Sequence, residues 1–198
     1  MYKPNLVCPA CGQRSGYYTL FEKYVCKCGW DSTVNTVDIS FDEPNGSAIS
    51  NVFPHNFVFY SNFPSHVEIN CSSMESFIQS LRVKDPELQK YICEHYSGTM
   101  SQKLKACLRD WRQDGLVYWQ GVPIKRDSAT YTELITTAYD CLFESNPVFR
   151  QLVLPSFKGK YLIHTIGKDS EAETLLTEQE FRFQLNRLIQ RLDFPGET

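Results

Sequence analysis

FVFYSNFPSHVEINCSSMESFIQSLR, residues 57–82, passes from strand through turn and strand into helix within one short stretch. Phe57 to Tyr60 reads as a strand and His66 to Ile69 as a second, with Asn62, Phe63 and Pro64 as the turn between them. Ser72 followed by Glu75 has capping-box spacing, and Met74, Phe77, Ile78 and Leu81 repeat at helical spacing behind it. On that helix Glu75, Gln79 and Arg82 stand at i, i+4 and i+7 and form a polar line beside the apolar one. A carboxylate, an amide and a guanidinium then point the same way at the edge of the core. Such a line either supports cleavage of a glycosidic bond, whose oxocarbenium-like transition state a carboxylate stabilises, or is the solvated face of an ordinary helix.

Downstream of this stretch helices dominate. They are expected at about 86–96, 101–110 and 129–145, the last carrying the stripe Tyr131, Leu134, Ile135, Ala138 and Leu142. Tyr161 to Ile166 reads as a short strand. Thr177 with Glu180 makes a second capping box ahead of a helix whose Phe181, Leu185, Leu188, Ile189 and Leu192 share one face.

Upstream, Cys8-Pro-Ala-Cys11-Gly and Cys26-Lys-Cys28-Gly are two tight thiol pairs, each followed by glycine. Four sulfurs at these spacings predict a zinc ribbon with Cys8, Cys11, Cys26 and Cys28 as ligands of one structural Zn2+, a closed tetrahedron with no position for substrate. A pair of disulfides is the other reading, and it suits an oxidising compartment that nothing in the chain suggests. Cys71, Cys93, Cys107 and Cys141 are scattered singly and read as small buried hydrophobes. Residues 42–56, DEPNGSAISNVFPHN, read as a linker, which gives a ribbon over 1–41, a linker over 42–56 and a second domain over 57–198.

With 198 residues and 42% hydrophobic content the chain can bury one ordinary core and carry a small appendage. No run of about 18 apolar residues occurs, and MYKPNLVCPA lacks a signal peptide's apolar stretch, so a cytoplasmic protein without a membrane partner is expected. A net charge of −3 argues against a main affinity built on neutralising many phosphates. Motifs GxGxxG, GxxxxGK[ST], HExxH and GxSxG are missing from the sequence. Arg109, Arg112, Lys125 and Arg126 read either as a phosphate-binding rim or as solvated surface charge, and His164 either as a ligand-binding or as a structural histidine.

The run FYSNFPSHVEINCSSMESFIQSLR resembles the opening motif of the NADAR (YbiA-like) family, an aromatic-Ser-Asn-Phe turn followed by a Ser-x-Glu-aromatic-x-Gln helix. The resemblance continues through Met100 to Lys105, VYWQGVPIKRDS, Ala138-Tyr139-Asp140 to Asn146, His164 to Asp169, and Leu176 to Phe181. It implies an α+β, predominantly α-helical catalytic domain that hydrolyses N-glycosidic bonds. Its substrate class would be ADP-ribosylated guanine in DNA or RNA, or phosphorylated aminopyrimidine ribosides. The same resemblance implies Glu75 as catalytic carboxylate and Lys103 as a candidate Schiff-base nucleophile, while Asp140, next to Tyr139 on its amphipathic helix, reads either as a second carboxylate or as an ordinary exposed one. Tyr60, Asn62, Gln79, Arg82, His164 and Lys168 would bind the ribose, base or phosphate, and Trp119 would supply a stacking wall. Two departures stand out: Arg82 occupies a position where many members carry lysine, and a C-terminal Trp-Gly motif is missing. An ADP-ribose-like or phosphoribosyl ligand is thus expected, with nucleic acid engaged through the ribbon. A module that binds the same ligand without turnover is the alternative.

Overall fold

A computed structural model describes residues 6–8, 11, 13–18, 23–28, 30–40, 42–96 and 106–193. The stretch 57–82 folds as its pattern dictates. Strands β5 (Phe57–Ser61) and β6 (Val67–Cys71) pair antiparallel with Phe57 opposite Cys71 and Phe59 opposite Ile69. These four side chains are buried, while Tyr60 faces outward, as the period-2 pleat requires.

Helix α2 (Met74–Ser80) follows, but its cap lies one residue later than expected. Ser73 and Ser76 make the reciprocal bonds, each 3.1 Å long, while the Ser72 hydroxyl donates to the Tyr96 carbonyl. Glu75 is therefore released from capping. Helix α3 (Pro86–His95) starts on the Asp85 cap. Of the helix expected at 101–110, residues 101–105 lie outside the described residues, only 106 and 107 are helical, and Trp111–Gln113 forms a 3-10 turn.

A hairpin that the sequence reading passed over joins β7 (Leu116–Trp119) to β8 (Val122–Lys125). Its two-residue turn, Gln120 and Gly121, has φ of 49° and 78°, the left-handed pair that a type I′ turn needs. Buried Gln89 of α3 locks the hairpin in place, accepting from the Gln120 amide at 2.8 Å and donating to the Tyr118 carbonyl at 2.7 Å. Helix α4 (Ala129–Ser145) carries the predicted stripe into the core. Helix α5 (Glu178–Arg191) begins on the predicted Thr177–Glu180 capping box.

Residues 36–56 belong to this body rather than to a ribbon and a linker. Strand β4 (Thr36–Asp38) runs parallel to β9 (Tyr161–Ile163), and Ile39 and Ile49 are buried in the same core as Phe59, Phe77 and Leu185. The Asn51 carbonyl accepts the Glu75 amide at 2.8 Å, and its side chain accepts the Tyr139 hydroxyl at 2.6 Å. The polar composition of 42–56 records turns, not looseness.

Gly46 sits where this segment crosses Asp38. A Cβ there would lie 1.6 Å from the Asp38 carbonyl oxygen, and both sides of that contact are backbone. Gly46→Ala should cost on the order of 2–3 kcal/mol, read as a lowered urea midpoint with unchanged m-value. An unshifted midpoint would mean that β4 does not pack here.

At the N-terminus β1 (Leu6–Val7), β2 (Arg14–Tyr18) and β3 (Lys23–Val25) form a three-stranded antiparallel sheet in that order. A one-turn helix, α1 (Ser32–Asn35), leads from it into β4. Trp30 docks the module on the larger body: its indole N–H donates to the Gly159 carbonyl at 2.7 Å and its ring meets Tyr161 edge-on. The whole is a mixed α and β protein with small sheets. None of its described helices is long and apolar enough to cross a membrane.

Candidate active site

Because Ser73 and Ser76 take over the cap, the polar face of α2 is free to line a cavity, and the predicted line forms. The Gln79 amide donates to Glu75 Oε1 at 2.8 Å, and Arg82 donates to Gln79 Oε1 at 2.9 Å. The Arg82 Nε also donates to the Arg109 carbonyl at 3.2 Å. The chain of donors has one direction: guanidinium to amide to carboxylate. It fixes which end of Gln79 faces Glu75.

These residues form one wall of a cavity of about 280 Å³. Asn51, Trp111 and Arg112 extend that wall, and His164, Lys168, Glu173 and Phe181 stand among the lining residues contributed by the C-terminal part of the chain. Burial raises the Glu75 pKa above the usual carboxylate value, against the opposing pull of Gln79 and Arg82. Burial also lowers the Arg82 pKa, and the neighbouring Arg112 lowers it further. A carboxyl group with raised proton affinity inside a cleft is the environment that suits a general acid or base.

His164 follows directly on β9. Its ring lies edge-on to Phe181 with centroids 5.5 Å apart, and burial lowers its pKa, against Asp38 and Glu178. Its Nδ1 is 4.0 Å from Asp38 Oδ1, too far for a hydrogen bond, and has no hydrogen-bond partner among the described residues. Asp38 is instead held by Thr165 and by the Ser40 amide. Gly167 keeps the ring where it is, since a Cβ there would come within 2.9 Å of His164 Cδ2 and 3.0 Å of Glu178 Cβ.

Five predicted residues thus meet in one place: Glu75, Gln79, Arg82, His164 and Lys168. Others do not. Tyr60 and Asn62 lie outside the cavity lining, on the exposed end of β5 and the turn after it, where Asn62 Oδ1 pairs with the His66 ring at 3.2 Å. Trp119 is no stacking wall: it is fully buried between Phe59 and Phe77. Asp140 is bound to Arg187 and Arg191, each at 2.6 Å, between α4 and α5. Lys103 lies outside the described residues. Of the four candidate rim cations only Arg112 lines the cavity. Arg126 is buried against Glu180 and Tyr131, and Arg109 pairs with Asp114. Sequence reading missed Asn51, which it placed in a linker, and Glu173.

The four cysteines form a separate centre. Cys8 and Cys28 sulfurs are 3.7 Å apart, those of Cys11 and Cys26 are 3.5 Å apart, and all four lie within 4.8 Å of one another. A tetrahedron of thiolates at about 2.3 Å from a metal has edges of about 3.8 Å. The donor set therefore fits one metal ion.

A family model described as bacteriophage protein GP30.3 matches residues 44–190. The chain is similar to an uncharacterized 17.1 kDa protein in the Gp30-rIII intergenic region of Enterobacteria phage T4. The two are 36% identical over 121 residues, which cover 61% of this chain and 78% of the phage protein. No solved structure matches. These matches overturn the NADAR resemblance, whose short motifs are local strand, turn and helix patterns that unrelated chains can share. Roles that rested on that resemblance alone, for Asn62, Trp119 and Lys103, lose their support, and Asp140 is taken up by its two arginines. The Glu75 line stands on its geometry.

Proposed function

Since the chain belongs to the bacteriophage GP30.3 family, its chemistry has to be read from its own cavity, and we propose that this cavity hydrolyses an N-glycosidic bond. The observation that carries this reading is Glu75, a carboxyl of raised proton affinity held by Gln79 in a cleft that also presents His164. Departure of a nucleobase from ribose leaves positive charge on the anomeric carbon, which an ionised Glu75 stabilises, or it requires a proton on the leaving base, which a protonated Glu75 supplies. His164, whose neutral form burial favours, is another group able to accept a proton from water in the same cavity.

ADP-ribosylated guanine in DNA or RNA is the first substrate to test, and phosphorylated aminopyrimidine ribosides are the second. A macromolecular substrate is supported by the groove of about 720 Å³ between the cysteine module and α5. Tyr24, Tyr161 and the exposed ring of Phe183 line this groove beside Lys160, surfaces on which flanking bases can stack. Mass-spectrometric detection of free base and free ribosyl product from this panel tests the proposal. Release from one of the substrates is expected; intact substrates throughout would sink it.

We assign Zn2+ to the cysteine centre, with a structural role, because four thiolates close its coordination sphere. One zinc per chain is expected, and Cys26→Ser should lose it and weaken the docking of Trp30 on Gly159. Full zinc retention in Cys26→Ser would contradict the assignment.

A further inference from the structure

We propose that Arg82, Arg112 and Lys168 form a subsite for a phosphate group in the Glu75 cavity. The inference deepens the glycosidase reading, on which it rests for the remainder of the ligand: the substrate is a phosphorylated riboside rather than a free nucleoside.

The arginines elsewhere show why Arg82 and Arg112 differ. Arg109 pairs with Asp114, Arg126 with Glu180, Arg150 with Glu144, Arg182 with Glu178, Arg187 with Asp140, and Arg191 with Asp140 and Glu144. Arg82 makes no salt bridge among the described residues. Its Nε and NH1 are bonded instead to neutral oxygens, the Arg109 carbonyl and the Gln79 amide. The orientation is thus fixed while the charge goes unmatched by direct contact.

Among the described residues Arg112 pairs only with Asp110, at 3.9 Å, with both side chains about half exposed, a pairing worth little in water. Lys168 makes no salt bridge among the described residues. The three cations come from the end of α2, the turn after Asp110 and the loop after β9, yet they line one cavity. Arg112 also depresses the proton affinity of Arg82, so the two guanidinium groups that line the cavity repel each other. A fold that matches Arg109, Arg126, Arg150, Arg182, Arg187 and Arg191 with carboxylates and brings Arg82, Arg112 and Lys168 to one cavity has left room for an anion brought by the ligand. Two guanidinium planes suit the tetrahedral dianion of a phosphomonoester or the paired charges of a diphosphate.

The test is equilibrium binding of ribose 5-phosphate and of ribose by calorimetry, with native chain, Arg112→Gln and Lys125→Gln, whose lysine lies outside the cavity. Ribose 5-phosphate should bind at least tenfold tighter than ribose. Arg112→Gln should erase most of that advantage, and Lys125→Gln should keep it. Equal affinity for the two sugars, or an Arg112→Gln variant that binds like the native chain, overturns the subsite. Binding is read without turnover, so the two ideas fail separately. An Arg112-dependent preference for the phosphorylated sugar in a protein that cleaves no N-glycoside upholds the subsite and removes the glycosidase.

Discussion

Trp119→Ala is expected to destabilise the protein by about 3–5 kcal/mol, a large part of the ~5–15 kcal/mol that holds a typical domain together. The ring is fully buried, edge-on to Phe59 at 5.1 Å and 5.5 Å from Phe77 between centroids. Its indole N–H donates to the Phe63 carbonyl at 2.9 Å. Alanine would remove the wedge that holds the β7–β8 hairpin against β5 and α2, and it would leave the Phe63 carbonyl with only the Ser61 hydroxyl as donor among the described residues. The sequence reading gave Trp119 a different part, as a wall for a stacked base. The two roles separate in one urea titration with a ligand arm: a structural tryptophan lowers the midpoint, whereas a stacking tryptophan lowers ligand affinity and leaves the midpoint in place.

Glu75→Gln should reduce turnover about a thousandfold, within the range of 10²–10⁴ that a positioned acid or base contributes. The same change should raise stability at neutral pH by about 1 kcal/mol, because active-site carboxyls are held at the expense of stability. The sign follows from the shift. Burial raises the Glu75 pKa in the folded state, so its favourable contribution is complete below the unfolded carboxyl pKa and is lost as pH rises through the folded value. Glutamine does not ionise and can still accept the Gln79 amide, so it escapes that loss. The stability gap between variant and native chain should therefore open as pH is raised from acid to neutral. A variant that is less stable at neutral pH would show that the ionised Glu75 is held by donors stronger than Gln79.

What could be read from the chain was what short-range periodicity encodes. The line of Glu75, Gln79 and Arg82 follows from residues one and two turns apart on α2 and the turn that ends it, and the capping box of α5 from Thr177 and Glu180 three apart. The rest of the cavity lining follows from no such rule. His164 and Lys168 meet α2 only because β9 pairs with β4, and Arg112 only because the turn after Asp110 folds under Arg82.

Burial was the other quantity hidden from a sequence reading. Ile49 and Asn51 sit in a run of Pro, Asn, Ser and Gly that has the composition of a linker, yet one is in the core and the other anchors Tyr139. Arg126 reads as surface charge and is buried against Glu180. A single-residue shift of the α2 cap, from Ser72 and Glu75 to Ser73 and Ser76, left the Glu75 side chain free to line the cavity.

The central claim is that Glu75 acts on a bond rather than merely holding a ligand. It is tested most directly with an oligonucleotide carrying ADP-ribosylated guanine, for which binding and product release are measured on the native chain and on Glu75→Gln side by side. Release by the native chain, with the variant binding the oligonucleotide as well but releasing about a thousandfold less, is the predicted result. Binding by both proteins with release by neither would contradict it.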